Sequence, residues 1–196
     1  MIPTEILVKY GAEFVSTDKN EFIFKQGELA KFYYQVYSGS IKMNNYNDNG
    51  REFIQGIFYE NQSFGEPPLF ENCEYPANAV TLEKSTLLKI SKSYFFQLLE
   101  EHPKITINIT RSIAKRLRYK AIMAAEISSE EASHRILTLL KYVKESLIHK
   151  NEICEISLTR QQIGDLTGLR VETVIRTLKQ LEKNKKVKII NKKIWM

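Results

Sequence analysis

Residues 159–182 have the sequence TRQQIGDLTGLRVETVIRTLKQLE, which is the pattern of two short helices joined by a tight turn. Thr159 can cap the first helix, because its hydroxyl can accept a hydrogen bond from a free N–H group of the first turn. Gly168 stands at the turn, where a helix-turn-helix needs a backbone conformation that a side chain would strain. The residues that the two helices are predicted to bury are Ile163, Leu166, Val174, Leu178 and Leu181.

The second helix of this pair also has a polar side, formed by Arg170, Glu172, Thr173, Arg176 and Lys179. Arginine can donate two hydrogen bonds to guanine, and a carboxylate can accept one from cytosine N4. Glu172 and Arg176 are four residues apart and therefore share one side of the helix. This spacing alone leaves two interpretations open: a pair that contacts bases in the major groove of DNA, or an ordinary ion pair on an exposed helix.

The segment that follows, KNKKVKIINKKIWM (183–196), predicts two short strands around Asn191 and Lys192. Residues 159–196 contain ten Lys and Arg against three Asp and Glu, although the whole chain has a net charge of only +6. The positive charge is therefore concentrated in the last fifth of the chain, as in a surface that binds a polyanion; a solvated lysine-rich tail is the alternative. The turn glycine, the basic flanks and the hairpin together favour DNA, with the hairpin lysines on phosphates.

The first half of the chain has a different character. Between Phe14 and Lys92, short segments rich in aromatic and β-branched residues alternate with turn residues, which predicts a small β-sandwich or barrel. Asn49-Gly50 predicts a type I′ hairpin turn, because both central residues of that turn have positive φ. A short helix is expected before these strands, at residues 3–10.

A long amphipathic helix is predicted after Pro103. Its apolar stripe consists of Ile109, Ile113, Leu117, Ala121, Ala124 and Ile127. A narrow stripe of this kind favours pairing with the same helix of a second copy, and the alternative is that the helix packs on the β domain. Serine and acidic residues at 128–131 predict the start of another helix at Ser129, with the apolar residues Ile136, Leu137, Leu140, Val143 and Leu147. The expected domains are residues 1–102, a helix at 103–128, and residues 129–196.

Other classes of protein are disfavoured by the sequence. No run of 18 apolar residues occurs and the N-terminus lacks the pattern of an export signal, so a cytoplasmic protein without membrane contact is expected. Cys73 and Cys154 are far apart and share no short spacing with a histidine, which predicts free thiols and no metal site. No pairing of a nucleophile with a base is found either, so an enzyme is not expected.

Together these motifs resemble the Crp/Fnr family of transcription regulators. The resemblance is carried by residues 159–182 quoted above, by KQGELAKFYYQVYSGSIKM (25–43) and by SFGEPPLFENCEYPANAV (63–80), and it extends over essentially the whole chain. It implies an α+β protein with an N-terminal double-stranded β-helix (a β-roll like that of cyclic-nucleotide-binding domains), a long dimerisation helix and a C-terminal winged helix-turn-helix. It also implies a homodimer on a near-palindromic operator, with double-stranded DNA, a second copy of the chain and RNA polymerase as partners.

The resemblance also assigns roles in DNA binding. The positions that would contact bases are Arg170, Val171, Glu172 and Arg176, and those that would contact phosphates are Thr159, Arg160, Gln161, Thr173, Lys179, Lys192 and Lys193. The Val-Glu-Thr run is closer to the Fnr branch, which implies a half-site with a TTGA core. Ile175 stands where the family usually has serine or glycine, so the outer bases of the half-site are not assigned.

The effector pocket that the resemblance implies departs from that of cyclic-nucleotide binders. Its residues would be Phe64, Gly65, Glu66, Tyr75, Ala77, Lys120 and Ala121. Members that bind cAMP hold its phosphate with an arginine, but no Lys or Arg occurs between Arg51 and Lys84, and Tyr75-Pro76 occupies the arginine region. A buried phosphate without a cation would be poorly compensated, so no tight binding of cAMP or cGMP is expected.

Other sensing chemistries of the family are also disfavoured. The iron–sulfur branch needs four cysteines and the chain has two, while a haem sensor usually needs a histidine near the β-roll and none precedes His102. No cofactor is therefore expected, and an unidentified small-molecule effector, or none, remains. The alternative function is a cyclic-nucleotide-binding regulatory module acting on a protein partner, which is disfavoured because no catalytic or membrane segment accompanies the β-roll.

Overall fold

Aromatic and β-branched segments form short strands in the first part of the chain. The computed structural model describes residues 1–129, 131–146 and 153–196, and the chain divides into an N-terminal unit, Met1–Ala114, and a C-terminal unit, Lys115–Met196. The strands of the N-terminal unit are β1 (Glu13–Thr17), β2 (Phe22–Phe24), β3 (Phe32–Ser38), β4 (Ser40–Tyr46), β5 (Glu52–Tyr59), β6 (Ser63–Phe64), β7 (Asn78–Thr81) and β8 (Ser85–Ser91). Its short helices are α1 (Thr4–Lys9), α2 (Pro67–Glu71) and α3 (Lys92–Glu101).

These strands pair into two four-stranded antiparallel sheets with the orders β1-β8-β3-β6 and β2-β7-β4-β5. Successive side chains of a strand point to opposite faces, so the inward-facing residues of both sheets form one core. Helix α3 adds Phe95 and Leu98 to that core, and α1 adds Leu7. The predicted β-sandwich or barrel and the short helix before it are confirmed.

The hairpin between β4 and β5 differs from its prediction. Tyr46 pairs with Glu52, so the loop has five residues, and Asn47 accepts hydrogen bonds within it. Gly50 has a φ of 72°, whereas Asn49 is not among the residues with positive φ. A type I′ turn needs positive φ at both central residues, so the prediction for Asn49-Gly50 is wrong.

The long helix predicted after Pro103 is α4 (Pro103–Ser129). Its first turns belong to the N-terminal unit, where Ile109 is only 1% exposed in the core and Ile113 packs against that core. Ile109 is therefore not available to a second copy, contrary to its prediction, because the core of its own unit covers it, whereas the half-buried Ile113 stays a predicted seam residue. Further along the helix Leu117, Ala121 and Ala124 are exposed.

The C-terminal unit combines helices with a small sheet. Its further elements are α5 (Ala132–Ser146), β9 (Glu155–Ile156), α6 (Arg160–Thr167), α7 (Val171–Lys183), β10 (Lys188–Ile190) and β11 (Lys193–Trp195), with the strand order β10-β11-β9. The buried residues shared by these elements include Ile136, Leu140, Ile156, Ile163, Leu166, Val174, Leu178, Leu181 and Ile194. A helix-turn-helix followed by a hairpin, which we call the wing (residues 188–195), is thus present as predicted.

Helix α5 departs from its prediction in detail. Helix α4 continues through Ser129, and α5 begins at Ala132, where the carbonyl of Glu131 accepts the first hydrogen bond from His134. Leu139 is buried, whereas Leu137 is only half-buried. Leu147, also predicted to be buried, lies outside the described residues.

Candidate nucleic-acid interface

The first helix of the helix-turn-helix begins with a reciprocal cap. The Thr159 hydroxyl accepts from the backbone N–H of Gln162 at 3.1 Å, and the Gln162 side chain accepts from the N–H of Thr159 at 2.8 Å. These two bonds satisfy donors that the first turn of a helix leaves unpaired. The predicted cap at Thr159 is confirmed, and it fixes the start of α6 with Arg160 as its first helical residue.

Two glycines shape the turn between α6 and α7. Gly168 has a φ of 71° and ends α6 in the left-handed conformation, as the sequence predicts. Gly164 was not predicted: a Cβ there would lie 2.9 Å from the carbonyl oxygen of Leu169, where the chain turns back past α6. Its spacing of four residues from the turn glycine is the signal in the sequence that could have found it.

Burial of one side fixes which face of α7 is presented to solvent. Val174, Leu178 and Leu181 are at most 4% exposed. The side chains of Arg170, Glu172, Arg176 and Lys179 are exposed, while Val171 and Thr173 are half-buried. Within the described residues, no ion pair or hydrogen bond joins Glu172 to Arg176. The charged groups of this face are therefore available to a ligand, and the interpretation of the two residues as a surface ion pair loses its support.

The wing follows α7 directly. Ile190 pairs with Lys193, so the two-residue turn consists of Asn191 and Lys192, both with positive φ (51° and 65°) as a type I′ turn requires. The carboxylate of Glu182, near the end of α7, accepts from the backbone N–H of Ile189 at 2.9 Å and ties the wing to the helix.

The two predicted lysines of the wing have different surroundings. Lys192 is exposed at the tip of the turn. The Lys193 ammonium lies 2.9 Å from the Glu155 carboxylate of β9, an ion pair that the sequence did not predict. A phosphate that binds Lys193 would compete with Glu155 for it.

A concave surface brings the predicted phosphate-contacting residues together. It has a volume of about 750 Å³ between α7, the start of α6 and the wing, and Thr159, Arg160, Lys179, Lys192 and Lys193 are among its lining residues. A second hollow of about 580 Å³ lies next to it along α7, shares Lys179 with it, and is lined by residues including Glu172, Arg176 and Lys183. Gln161 lines neither surface and donates to Asp165 within α6 at 2.9 Å.

The predicted effector-pocket residues of the N-terminal unit lie in its packed interior. Phe64, Glu66, Tyr75 and Ala77 are at most 3% exposed, and Ser63 donates a hydrogen bond to the Glu66 carboxylate. The Tyr75 ring stacks on Phe24 with ring centroids 3.6 Å apart. A Cβ on Gly65 would approach both rings to within 3.0–3.2 Å.

Two more rings extend this aromatic cluster, which consists of Phe24, Tyr34, Phe64 and Tyr75. Tyr34 stacks on Phe64 at 5.6 Å, and all four residues are at most 6% exposed. Two of its rings, Phe24 and Tyr75, pack at Gly65, the residue that precedes the buried Glu66. Lys120 and Ala121 are exposed residues of the C-terminal unit.

The described residues were also compared with the metal, disulfide and membrane features that the sequence disfavours. Across residues 1–129, 131–146 and 153–196 there is no group of His, Cys, Asp and Glu side chains that could hold a metal ion. Cys73 and Cys154 are free thiols, as predicted. None of the described helices combines the length and apolar character needed to cross a membrane.

Comparison with known proteins connects both units to regulators. A family model described as a cyclic nucleotide-binding domain matches residues 14–102, and one described as a Crp-like helix-turn-helix domain matches residues 134–195. The cAMP-activated global transcriptional regulator CRP of Haemophilus influenzae is 32% identical over 160 residues, which cover 80% of this chain and 71% of that protein. The transcriptional activator protein Anr of Pseudomonas protegens is 26% identical over 180 residues, covering 90% and 73% of the two chains.

Solved structures share the fold. FixK2 from Bradyrhizobium japonicum superposes with a TM-score of 0.77 at 22% identity, covering 93% of this chain and 91% of that one. A mutant of CooA from Carboxydothermus hydrogenoformans gives a TM-score of 0.80 at 16% identity, with coverages of 100% and 87%. At these identities the likeness concerns the fold alone.

Proposed function

The chain belongs to the Crp/Fnr family of DNA-binding transcription regulators, and we propose that it binds a near-palindromic operator as a homodimer with one α7 helix in the major groove of each half-site. The observation that carries this proposal is the two-sided character of α7. One side is buried in the core of its unit, and the other side exposes the unpaired Glu172 carboxylate and Arg176 guanidinium. A helix placed in the major groove needs both properties, a fixed rotation and free donors and acceptors.

Base contacts are assigned to Glu172 and Arg176, with Arg170 and Val171 at the start of the helix beside them. Arg176 would donate to O6 and N7 of a guanine, and Glu172 would accept from N4 of a cytosine. Each such contact discriminates against a wrong base pair by about 1–3 kcal/mol. These two contacts would set the sequence preference at the centre of the half-site, where the resemblance to Fnr-type members implies a TTGA core.

Phosphate contacts are assigned to the rim of the concave surface. The start of α6, with Thr159 and Arg160, lies on one side, and Lys192 and Lys193 lie on the wing. Gln161, the next residue of α6, is assigned to phosphate contact as well, although it does not line the concave surface. Thr173 and Lys179 would contact phosphates from α7. Such contacts fix the register of the protein on the duplex and make binding dependent on salt, but they do not select a sequence.

The test starts from selection of bound duplexes out of a pool of randomised DNA, followed by gel shifts on the enriched site. Arg176→Ala is expected to weaken binding by about 1–3 kcal/mol for each half-site and to relax the preference at one base pair of each half-site. Arg51→Ala, which removes the same charge from the β4–β5 loop, should leave the affinity and the base preference unchanged. Unchanged specificity of Arg176→Ala would contradict the role of this residue, and failure to enrich any sequence would contradict the proposed function.

The homodimer is proposed on the exposed stripe of α4. Leu117 is 66% exposed, and Ala121 and Ala124 are exposed at steps of four and three along the same side. Small residues at these steps allow two helices to approach closely, and a twofold axis would then present two α7 helices to a palindrome. We assign residues 1–102 to an effector domain, 103–128 to this helix and 129–196 to DNA binding, with action in the cytoplasm on RNA polymerase.

Regulation is proposed to be independent of cAMP, in contrast to the relatives whose names state activation by cAMP. The aromatic cluster lies in the interior of the N-terminal unit, with Phe24 and Tyr75 packed at Gly65, and no Lys or Arg occurs between Arg51 and Lys84 to pair with a phosphate. Desolvating a phosphate without a cation is costly. The domain would then bind an effector that is not a cyclic nucleotide, or no effector.

A further inference from the structure

Ile175 is an apolar side chain on the polar side of α7. It follows Glu172 by three residues and directly precedes Arg176, and 43% of its surface is exposed. The concave surface and the hollow described above both include Ile175 in their lining, so the side chain stands between them. It is thus placed among the groups assigned to base contacts.

Ile175 does not belong to the buried stripe of α7. The stripe that holds α7 in the core is formed by Val174, Leu178 and Leu181, which are at most 4% exposed. An exposed β-branched residue also forms helix less readily than Lys, Gln or Glu, the other types found on this side. The residue therefore fits a bound state in which its apolar surface is covered.

We infer that Ile175 contacts the 5-methyl group of a thymine in the operator half-site, an inference that rests on the proposed function and adds a specificity determinant to it. Thymine is the base that presents a methyl group in the major groove, and apolar side chains recognise it there. Because Ile175 lies between Glu172 and Arg176 along the helix, this thymine lies at or next to the base pairs that those two residues contact. The contact distinguishes thymine from cytosine, which lacks the methyl group.

The expected change in affinity follows from the apolar surface of one methyl group that the contact removes from water. Burial of one such group corresponds to about a four-fold change in affinity, and the two half-sites of a dimer together give about fifteen-fold. This is smaller than the effect expected for Arg176, so the methyl contact tunes a site that the charged residues already define.

The experiment replaces each thymine of the selected operator by deoxyuridine, one symmetric pair at a time, and measures Kd by fluorescence anisotropy at fixed salt. Deoxyuridine pairs like thymine but lacks the methyl group. For the natural chain, one symmetric pair is expected to weaken binding about fifteen-fold. Ile175→Ala should bind the thymine and deoxyuridine duplexes equally, and Ile175→Ser should behave in the same way. Ile153→Ala is the matched control, since Ile153 is 62% exposed in the same unit outside α7, and it should keep the full penalty.

Two results would overturn the inference. One is a natural chain whose Kd is unaffected by deoxyuridine at every thymine, and the other is an undiminished penalty in Ile175→Ala and Ile175→Ser. Failure of the proposed function would look different, because no sequence would be enriched in the selection and Arg176→Ala would bind as the natural chain does.

Discussion

Gly164 and Gly168 lie four residues apart in the helix-turn-helix, but they are required for different physical reasons. Gly168 has a φ of 71° and open space where a Cβ would be, so its requirement concerns the backbone conformation. Gly164 lies within helix α6, and a Cβ there would meet the Leu169 carbonyl oxygen at 2.9 Å. Its requirement concerns space, because a backbone atom is the neighbour that would have to move.

Substitution should separate these two causes. Gly168→Ala is expected to lower the free energy of unfolding by about 1–2 kcal/mol, and Gly168→Asn by less, because asparagine tolerates the left-handed conformation. Gly164→Ala should cost about 1–3 kcal/mol through overpacking despite the better helix propensity of alanine, and Gly164→Asn should cost more. Urea unfolding of the four variants measures this. A Gly164→Ala protein as stable as the natural chain would contradict the steric argument.

Tyr34 allows a prediction about pH. Burial, with a smaller contribution from the Glu28 charge, raises the pKa of Tyr34 from 10.0 to about 12. Between pH 10 and 12 the unfolded chain therefore loses this proton while the folded chain keeps it, so the stability that this group contributes below pH 10 is lost as pH rises through the window. The loss amounts to about 1.4 kcal/mol per pH unit.

Tyr34→Phe removes this titration and keeps the ring. The difference in the free energy of unfolding, variant minus natural chain, should therefore increase from pH 10 to pH 12 in denaturant titrations. Lysines that titrate in the same range affect both proteins and cancel in the difference. Parallel pH profiles for the two proteins would show that the Tyr34 phenol ionises at the same pH in the folded and unfolded chains.

At the scale of secondary-structure elements, hydrophobic spacing predicts the buried residues of a helix correctly where a single core covers the whole apolar stripe. In α7 the predicted stripe of Val174, Leu178 and Leu181 is buried throughout. In α4 the equally regular stripe divides, because Ile109 is covered by the core of its own unit while Leu117 is exposed. Spacing gives the side of a helix that is apolar, but it does not show what packs on that side.

The same limit applies to features that join distant parts of the chain. Tyr119 of α4, which is not part of the predicted stripe, is buried and stacks on Tyr142 of α5 with ring centroids 3.8 Å apart. The ion pair of Lys193 with Glu155 and the close approach at Gly164 were also missed. The exposed residues of α7, in contrast, could be predicted, because a local stripe of buried residues fixes which side of the helix is exposed.

The wing supplies a prediction about charge. Since Glu155 holds Lys193 at 2.9 Å, Glu155→Gln should release the ammonium for a phosphate and also remove a negative charge from the interface. Affinity for the selected operator should increase, with a steeper dependence on salt, in titrations between 50 and 200 mM salt, the range over which phosphate contacts are resolved. Glu155→Gln combined with Lys193→Ala should lose the steeper salt dependence. Equal salt slopes for Glu155→Gln and the natural chain would mean that Lys193 does not contact phosphate.

The exposed stripe of α4 supplies a prediction about the oligomeric state. Leu117→Glu places two carboxylates opposite each other in the proposed seam, so sedimentation equilibrium should change from twice the 22.9 kDa of the chain to a single chain. The fold of the monomer should be retained, because Leu117 is 66% exposed. Ile153→Glu, at a similarly exposed residue outside α4, should remain dimeric. A dimeric Leu117→Glu protein would place the interface elsewhere.

At the scale of the whole molecule, the two units differ in how much of their expected chemistry is present. The C-terminal unit has the turn, the wing and the exposed charged side of α7 that the proposed DNA binding needs, and several of its cationic side chains line one concave surface. The N-terminal unit has the strands of a cyclic-nucleotide-binding fold, but aromatic rings pack in its interior and the segment between Arg51 and Lys84 contains no Lys or Arg that could pair with a phosphate. A ligand can change DNA affinity only by as much as it binds one conformation better than another, so a nucleotide that does not bind cannot act as the effector.

DNA binding by this chain should therefore not depend on cAMP. The Kd for the selected operator is expected to be the same without nucleotide and with cAMP at millimolar concentration. Such a concentration is well above the one at which a physiological effector would saturate its site. The Haemophilus influenzae relative, measured on its own operator, provides the positive control for the nucleotide preparation. Calorimetry with cAMP should show no binding heat for the natural chain, which separates absence of binding from binding without consequence. A tightening of the Kd by ten-fold or more, equivalent to about 1.4 kcal/mol of coupling, would require the aromatic cluster to rearrange around the nucleotide and would contradict the proposal.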